Sequence, residues 1–104
     1  PGNEHYERAQ KYLPMGTSGV MSIDIKGGRA PAMKFMDSLK LAAIVTHVAD
    51  ARTCVLHPAS TTHRQLTDAQ LKDAGVDPGL IRLSVGIEYI GDILADIEQA
   101  LETV

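Results

Sequence analysis

The chain has 104 residues, a hydrophobic fraction of 44% and a formal net charge of -3, which are the size and composition of one globular domain. Its lysines and arginines are scattered, which argues against a nucleic-acid-binding protein. The longest apolar run, residues 41–45, is too short to cross a membrane, and the first five residues lack the charged and apolar regions of a signal peptide.

The single cysteine, Cys54, excludes an internal disulfide and fits a reducing cytoplasm. It lies in an apolar run, so we expect a small buried side chain rather than a nucleophile. The four histidines have no metal-ligand spacing with one another or with Cys54, which argues against a metal site. The sequence also lacks a nucleophile elbow and a phosphate-cradling glycine-rich loop.

The first third of the chain predicts a helix, a strand and a second helix. Asn3 caps the first helix and Pro14 ends it. Polar and apolar residues alternate over 20–26, which predicts a half-buried strand. Pro31 starts the second helix, whose apolar residues return at helical spacing along one side, namely Met33, Met36 and Leu39.

Two strands and a third helix are predicted in the middle of the chain. Residues 41–48 fit either the end of the second helix or a strand, and the β-branched residues at 44–46 favour a strand from about Ala43. Residues 52–56 form another strand, which ends before Pro58. Because few residues separate these strands, we expect them to be antiparallel neighbours. Thr67 then caps a helix that Gly75 closes.

Residues 80–88 place one arginine among aliphatic residues. As a strand, its period of two puts Arg82, Ser84 and Gly86 on one face and aliphatic side chains on the other, at positions 81, 83, 85 and 87. The last helix, from about residue 91 to Leu101, carries an acidic side that we expect to be solvated: Asp92, Asp96, Glu98 and Glu102. The order of elements predicts an α+β domain with a small, mostly antiparallel sheet and helices on one side.

Arg82 is the candidate site residue, because a guanidinium stays charged and its planar fork matches a carboxylate. A strand holds such a fork in place before an anion arrives. We therefore consider an anion site made from Arg82, the hydroxyls of residues 60–62 and His47. These residues alone support an enzyme, a free-standing regulatory module that binds small carboxylates, or a structural domain in which Arg82 forms a surface ion pair.

Two motifs carry a resemblance to a known family. They are Leu80-Ile81-Arg82-Leu83-Ser84-Val85-Gly86-Ile87-Glu88 and His57-Pro58-Ala59-Ser60-Thr61-Thr62-His63, joined in matching order by Tyr12-Leu13-Pro14, Lys26-Gly27-Gly28 and Ser38-Leu39-Lys40-Leu41. Over nearly its whole length the chain resembles the C-terminal part of the pyridoxal-phosphate-dependent Cys/Met metabolism (trans-sulfuration) enzymes, especially the O-acetylhomoserine sulfhydrylases. This implies the small C-terminal domain of a fold-type I enzyme.

The resemblance implies roles for three residues. Arg82 would grip the α-carboxylate of a small amino-acid substrate, and Thr62 would lie beside it. His47 falls on a third site position, where the family usually has serine or asparagine, and alanine follows at Ala49 where glycine is customary. The ring of His47 would remain able to donate a hydrogen bond there.

The resemblance also implies that residues 1–104 are one domain of a larger enzyme. The Schiff-base lysine and the other cofactor-binding residues of the family lie in a preceding large domain, and the surroundings of Lys26, Lys34, Lys40 and Lys72 do not match the cofactor motif. The implied parent is a cytoplasmic homotetramer of methionine and cysteine metabolism that replaces the acetate of O-acetyl-L-homoserine with sulfide or a thiol. We expect the isolated chain to fold without catalysis or tight cofactor binding.

Overall fold

The computed structural model describes residues 2–104, which form four helices, four strands in one sheet and one short 3-10 turn. In chain order the elements are α1 Tyr6–Tyr12, β1 Val20–Asp24, α2 Arg29–Ser38, β2 Ala43–Ile44, β3 Cys54–Leu56, the 3-10 turn Pro58–Ser60, α3 Asp68–Asp73, β4 Leu80–Ser84 and α4 Ile90–Leu101. The predicted order of helices and strands is confirmed, although every strand is shorter than predicted. Within this part of the chain, no helix has the length and apolar content needed to cross a membrane.

The sheet is mixed, with the strand order β1-β4-β3-β2. β4 is antiparallel to both β1 and β3, whereas β2 runs parallel to β3. The expectation that β2 and β3 are antiparallel neighbours is therefore wrong, and the sheet is less antiparallel than predicted. The reason is the length of β2: a two-residue strand rises only about 7 Å, so residues 45–53 suffice to bring the chain back for a parallel pairing.

The core lies between one face of the sheet and the helices α2 and α4. Its buried members are Ile25, Ala32, Phe35, Met36, Val55, Ile81, Leu83 and Ala100. The predicted core face of β4 is confirmed at Ile81 and Leu83, but Ile87 is 86% exposed because the strand has already ended at Ser84. Cys54 is buried as predicted, and burial raises the pKa of its thiol.

The predicted apolar side of α2 is confirmed at Met36, which is buried, and at Leu39, which packs against the core. In α2, Ala32, Phe35 and Met36 are buried whereas Met33 is exposed. In α4, Ile93, Asp96 and Ala100 face the core. Ile97 packs against the core as well, whereas Leu94 and Leu101 are exposed.

Asp96 corrects the prediction of a solvated acidic side on α4. Its carboxylate is buried and accepts the backbone N–H groups of Lys40, Leu41 and Ala42 at 2.8, 2.9 and 3.0 Å. Burial would raise the pKa of Asp96, but these N–H groups and the side chain of Gln99 hold that pKa below its ordinary value. Asp96 thus fixes the connection between α2 and β2.

Candidate functional site

Arg82 lies at the centre of the sheet, on the strand between β1 and β3. Its cross-strand neighbours are Ser22 on β1 and Leu56 on β3. Because β4 is paired along both edges, the backbone of Arg82 is held at this site by two ladders of hydrogen bonds. Arg82 is half-buried, so the base of its side chain is fixed while its end remains accessible.

The guanidinium of Arg82 donates to backbone oxygens instead of to a carboxylate. Its Nη2 donates to the carbonyl oxygen of Thr46 at 2.8 Å and to that of His47 at 3.3 Å. Within residues 2–104 no Asp or Glu oxygen lies within 4.0 Å of this side chain. The surface ion pair considered above is therefore not formed, and the positive charge stays unneutralised.

The Nε atom of Arg82 is buried and lacks a hydrogen-bond partner among the described residues. A buried N–H without an acceptor is costly and is rare in folded proteins. The rest of the guanidinium is oriented by two carbonyl groups that cannot neutralise it. The arrangement is that of a preoriented cation without a counter-ion, which suits a carboxylate ligand.

His47 contributes its backbone to this arrangement. Its carbonyl oxygen is one of the two that Arg82 reaches, whereas its exposed ring lies with Nδ1 3.5 Å from Oδ2 of Asp50. Asp50 also accepts the N–H of Arg52 at 3.0 Å, and that hydrogen bond lowers the pKa of the Asp50 carboxyl. The structure thus brings His47 and Arg82 together through the main chain, and a direct ligand contact from the His47 ring stays a prediction.

The loop that follows β3 uses most of its hydroxyls for its own structure. The buried ring of His57 lies with Nε2 2.8 Å from the carbonyl oxygen of Pro78 and Nδ1 2.9 Å from the hydroxyl of Ser60. Since the carbonyl can only accept, Nε2 of His57 carries a proton and donates it to Pro78. Thr61 donates to the carbonyl oxygen of His57 at 2.8 Å, so Ser60 and Thr61 have structural roles.

Thr62 is the exposed hydroxyl of the three, and it lies 2.9 Å from Nδ1 of His63. Leu56, the neighbour of Arg82 across the sheet, immediately precedes this loop, and β4 contacts the 3-10 turn. The loop therefore begins beside Arg82, but the hydrogen bonds of Thr62 and Arg82 go to different partners. A role for Thr62 in ligand binding stays a prediction.

Sequence reasoning missed the contact that holds the segment to which Arg82 donates its hydrogen bonds. Ser84, two residues along the same face of β4, accepts the N–H of Ala49 at 3.0 Å. Ala49 has φ 58, the only positive φ of a non-glycine residue within residues 2–104. The departure from a customary glycine at Ala49 was the available signal, because glycine adopts this conformation without strain.

Glu88 and Thr53 form a second contact between the end of the 80–88 motif and the residues before β3. The carboxylate of Glu88 accepts the backbone N–H and the hydroxyl of Thr53, each at 2.7 Å. Gly86 allows the segment after β4 to approach the residues before β3, since a Cβ atom at position 86 would lie 2.5 Å from the carbonyl oxygen of Ala51. The end of the 80–88 motif is thus a structural clamp on the residues before β3.

The chain is similar to known proteins over nearly its whole length. The family model described as Cys/Met metabolism PLP-dependent enzyme matches residues 1–102. The chain is 46% identical over 103 residues to an O-acetyl-L-homoserine sulfhydrylase from Leptospira meyeri, covering 98% of this chain and 23% of that protein. It is 49% identical over 105 residues to a homocysteine synthase from Schizosaccharomyces pombe, covering 98% and 24%.

A solved structure shares the fold. It is the crystal structure of a putative O-acetylhomoserine (thiol)-lyase from Campylobacter jejuni containing N'-pyridoxyl-lysine-5'-monophosphate, with a TM-score of 0.84 and 34% identity over 97% of this chain and 24% of that chain. The α+β architecture expected for the C-terminal part of these enzymes is therefore confirmed. The chain spans about a quarter of the length of the relatives it matches.

Proposed function

Because this chain belongs to the Cys/Met metabolism PLP-dependent enzyme family, we propose that it is the domain that binds the substrate carboxylate in an O-acetylhomoserine sulfhydrylase. The whole enzyme would convert O-acetyl-L-homoserine and sulfide, or a thiol, into homocysteine, or a thioether, and acetate. The names of the relatives support this assignment, and the site on β4 supports carboxylate binding as the role of this chain.

The main support for this proposal is the guanidinium of Arg82, which no carboxylate among the described residues neutralises. Two carbonyl oxygens orient it, its buried Nε has no acceptor within the described residues, and every Asp and Glu oxygen there lies beyond 4.0 Å. An α-carboxylate can accept two parallel hydrogen bonds from such a fork. Anchored in this way, a substrate has one orientation relative to the reacting groups, which is how positioning lowers a reaction barrier.

The cofactor would be held outside this chain. The family resemblance puts the Schiff-base lysine in a preceding domain, and the surroundings of Lys26, Lys34, Lys40 and Lys72 do not match the cofactor motif. Pyridoxal phosphate, when bound to the rest of the polypeptide, would supply the electron sink for breaking bonds at the substrate. Arg82 would hold the carboxylate, and Thr62 and His47 would line the same pocket.

We further propose that the remaining three quarters of the polypeptide form an N-terminal large domain, and that the enzyme is a cytoplasmic homotetramer. The share of the relatives' length that this chain covers supports a missing domain. The single, buried cysteine is in keeping with a reducing compartment. On this account the 104-residue chain alone is inactive.

Two assays test the proposal. The intact polypeptide containing residues 1–104, loaded with pyridoxal phosphate, is expected to release acetate from O-acetyl-L-homoserine and form homocysteine when sulfide is added. The isolated chain, titrated with O-acetyl-L-homoserine in a calorimeter, is expected to bind too weakly to measure. A loaded polypeptide that leaves O-acetyl-L-homoserine unchanged would overturn the proposal, and strong binding of a carboxylate by the isolated chain would favour the regulatory module instead.

A further inference from the structure

Among the described residues, three hydrogen bonds join the segment formed by residues 46–50 to β4. All five of its residues are exposed. Within the described chain, the hydrogen bonds that join it to β4 are those from Arg82 to the carbonyl oxygens of Thr46 and His47, and that from the N–H of Ala49 to Ser84. Arg82 therefore hydrogen-bonds to the start of the segment, and Ser84 hydrogen-bonds near its end.

Ala49 holds the segment in a conformation that it would not adopt unaided. Its φ of 58 lies in the left-handed region, which is strained for a residue with a Cβ atom. Such a residue keeps this conformation only where its surroundings impose it. Among the described residues, the backbone N–H of Ala49 donates only to the Ser84 hydroxyl, at 3.0 Å.

Ser84 is well placed to impose that conformation. Its side chain is 1% exposed, and it lies on the central strand of the sheet, paired with Val20 on β1 and Cys54 on β3. A hydroxyl fixed in this way is a rigid acceptor for an exposed segment that has few other attachments.

We propose that Ser84 is a positioning residue for the carboxylate site. Its hydroxyl holds Ala49 in the left-handed conformation, so that the carbonyl groups of Thr46 and His47 remain where they orient the guanidinium of Arg82. This inference rests on the proposed function, because Ser84 would affect substrate binding indirectly, through the position of the Arg82 guanidinium.

The test is a steady-state comparison in the intact, cofactor-loaded enzyme. Ser84→Ala is expected to raise KM for O-acetyl-L-homoserine about tenfold, the effect of one lost hydrogen bond, and to leave kcat within about twofold. In an Ala49→Gly background the same change is expected to raise KM about threefold or less, because glycine reaches positive φ without strain. Ser18→Ala, which removes an exposed hydroxyl that accepts the backbone N–H of Val20 at 3.0 Å, serves as the matched control with an unchanged KM.

The outcomes separate this inference from the proposed function. An enzyme that turns over O-acetyl-L-homoserine and keeps its KM in Ser84→Ala would overturn the role of Ser84 and leave the function standing. An equal rise of KM in the parent and in the Ala49→Gly background would show that the hydroxyl does not act through Ala49. If Ser84→Ala alone does not fold, a folded Ala49→Gly, Ser84→Ala double variant with a low KM supports the inference, and a double variant that also fails to fold contradicts it.

Discussion

The Glu88 carboxylate accepts both the N–H and the hydroxyl of Thr53, each at 2.7 Å, and so joins the end of the arginine motif to the start of β3. Thr53 is fully buried, and its hydroxyl also accepts the N–H of Gly86 at 3.0 Å. One threonine thus satisfies two partners on the segment that follows β4. This clamp closes the loop that contains His47.

Thr53→Val tests the clamp. The substitution keeps the shape of the side chain but leaves the N–H of Gly86 and one oxygen of Glu88 without their partner. We expect the free energy of unfolding of the 104-residue chain to fall by about 1–3 kcal/mol, measured by urea denaturation. Thr17→Val, in the exposed loop before β1, is the matched control and is expected to change stability little. Equal stability of the two variants would show that the clamp contributes nothing.

Asp96 predicts how stability depends on pH. Its folded pKa is lowered, since the N–H groups of residues 40–42 outweigh the effect of burial. A carboxyl with a lowered folded pKa stabilises the protein above its unfolded pKa, and this contribution is lost as the pH falls through the range below about 4. Glu88, whose pKa the N–H of Thr53 lowers, acts in the same direction.

Stability measured from pH 7 to pH 3 checks this sign. We expect the free energy of unfolding to decrease with acid, and Asp96→Asn to be less stable at pH 7 and to lose less on acidification. Asp92→Asn, an exposed residue in the first turn of the same helix, is the control and should follow the parent curve. An Asp96→Asn curve parallel to the parent would contradict the assignment.

Ala49→Gly is predicted to stabilise the chain. Glycine removes the strain of φ 58 at this position, although it adds entropy to the unfolded state, so the net gain is about 0.5–1 kcal/mol. The measurement is again urea denaturation. Ala51→Gly, also exposed but without a positive φ, should lose stability. A loss in both variants would mean that Ala49 is not strained.

Gly86→Ala is predicted to destabilise the chain. The new Cβ atom would lie 2.5 Å from the carbonyl oxygen of Ala51 and 2.5 Å from the carbonyl carbon of Arg52, so the backbone must move. Overpacking of this kind costs about 1–3 kcal/mol. Gly19→Ala, where the nearest heavy atom outside the adjoining residues would be 3.8 Å away, is the tolerated control in a thermal unfolding experiment.

The sheet face of Ile81 and Leu83, the burial of Cys54 and the helix cap at Thr67 were predictable, because each depends on local spacing or on one side chain. Thr67 indeed forms a capping box with Gln70. The parallel pairing of β2 and β3 and the burial of Asp96 were missed, since both depend on contacts between distant segments. In the sequence Asp96 is one of four acidic residues on the last helix. Only the structure shows that the N–H groups of the α2–β2 connection bind its carboxylate.

The candidate site was predictable in part. Residue type and motif singled out Arg82, His47 and Thr62, and the structure joins the first two through a backbone carbonyl. The contribution of Ser84 could not be predicted, because it depends on the φ angle of Ala49 and on a hydrogen bond across 35 residues.

The most direct test of the account is the KM for O-acetyl-L-homoserine in the intact, cofactor-loaded enzyme after Arg82→Ala. We expect KM to rise about thirtyfold or more, because a carboxylate loses a charge-assisted partner at a cost of about 2–5 kcal/mol. Arg82→Lys should recover only part of this, since a lysine lacks the planar fork, and Arg8→Ala, an exposed arginine on α1, should leave KM unchanged. An Arg82→Ala enzyme with the parent KM would contradict the account.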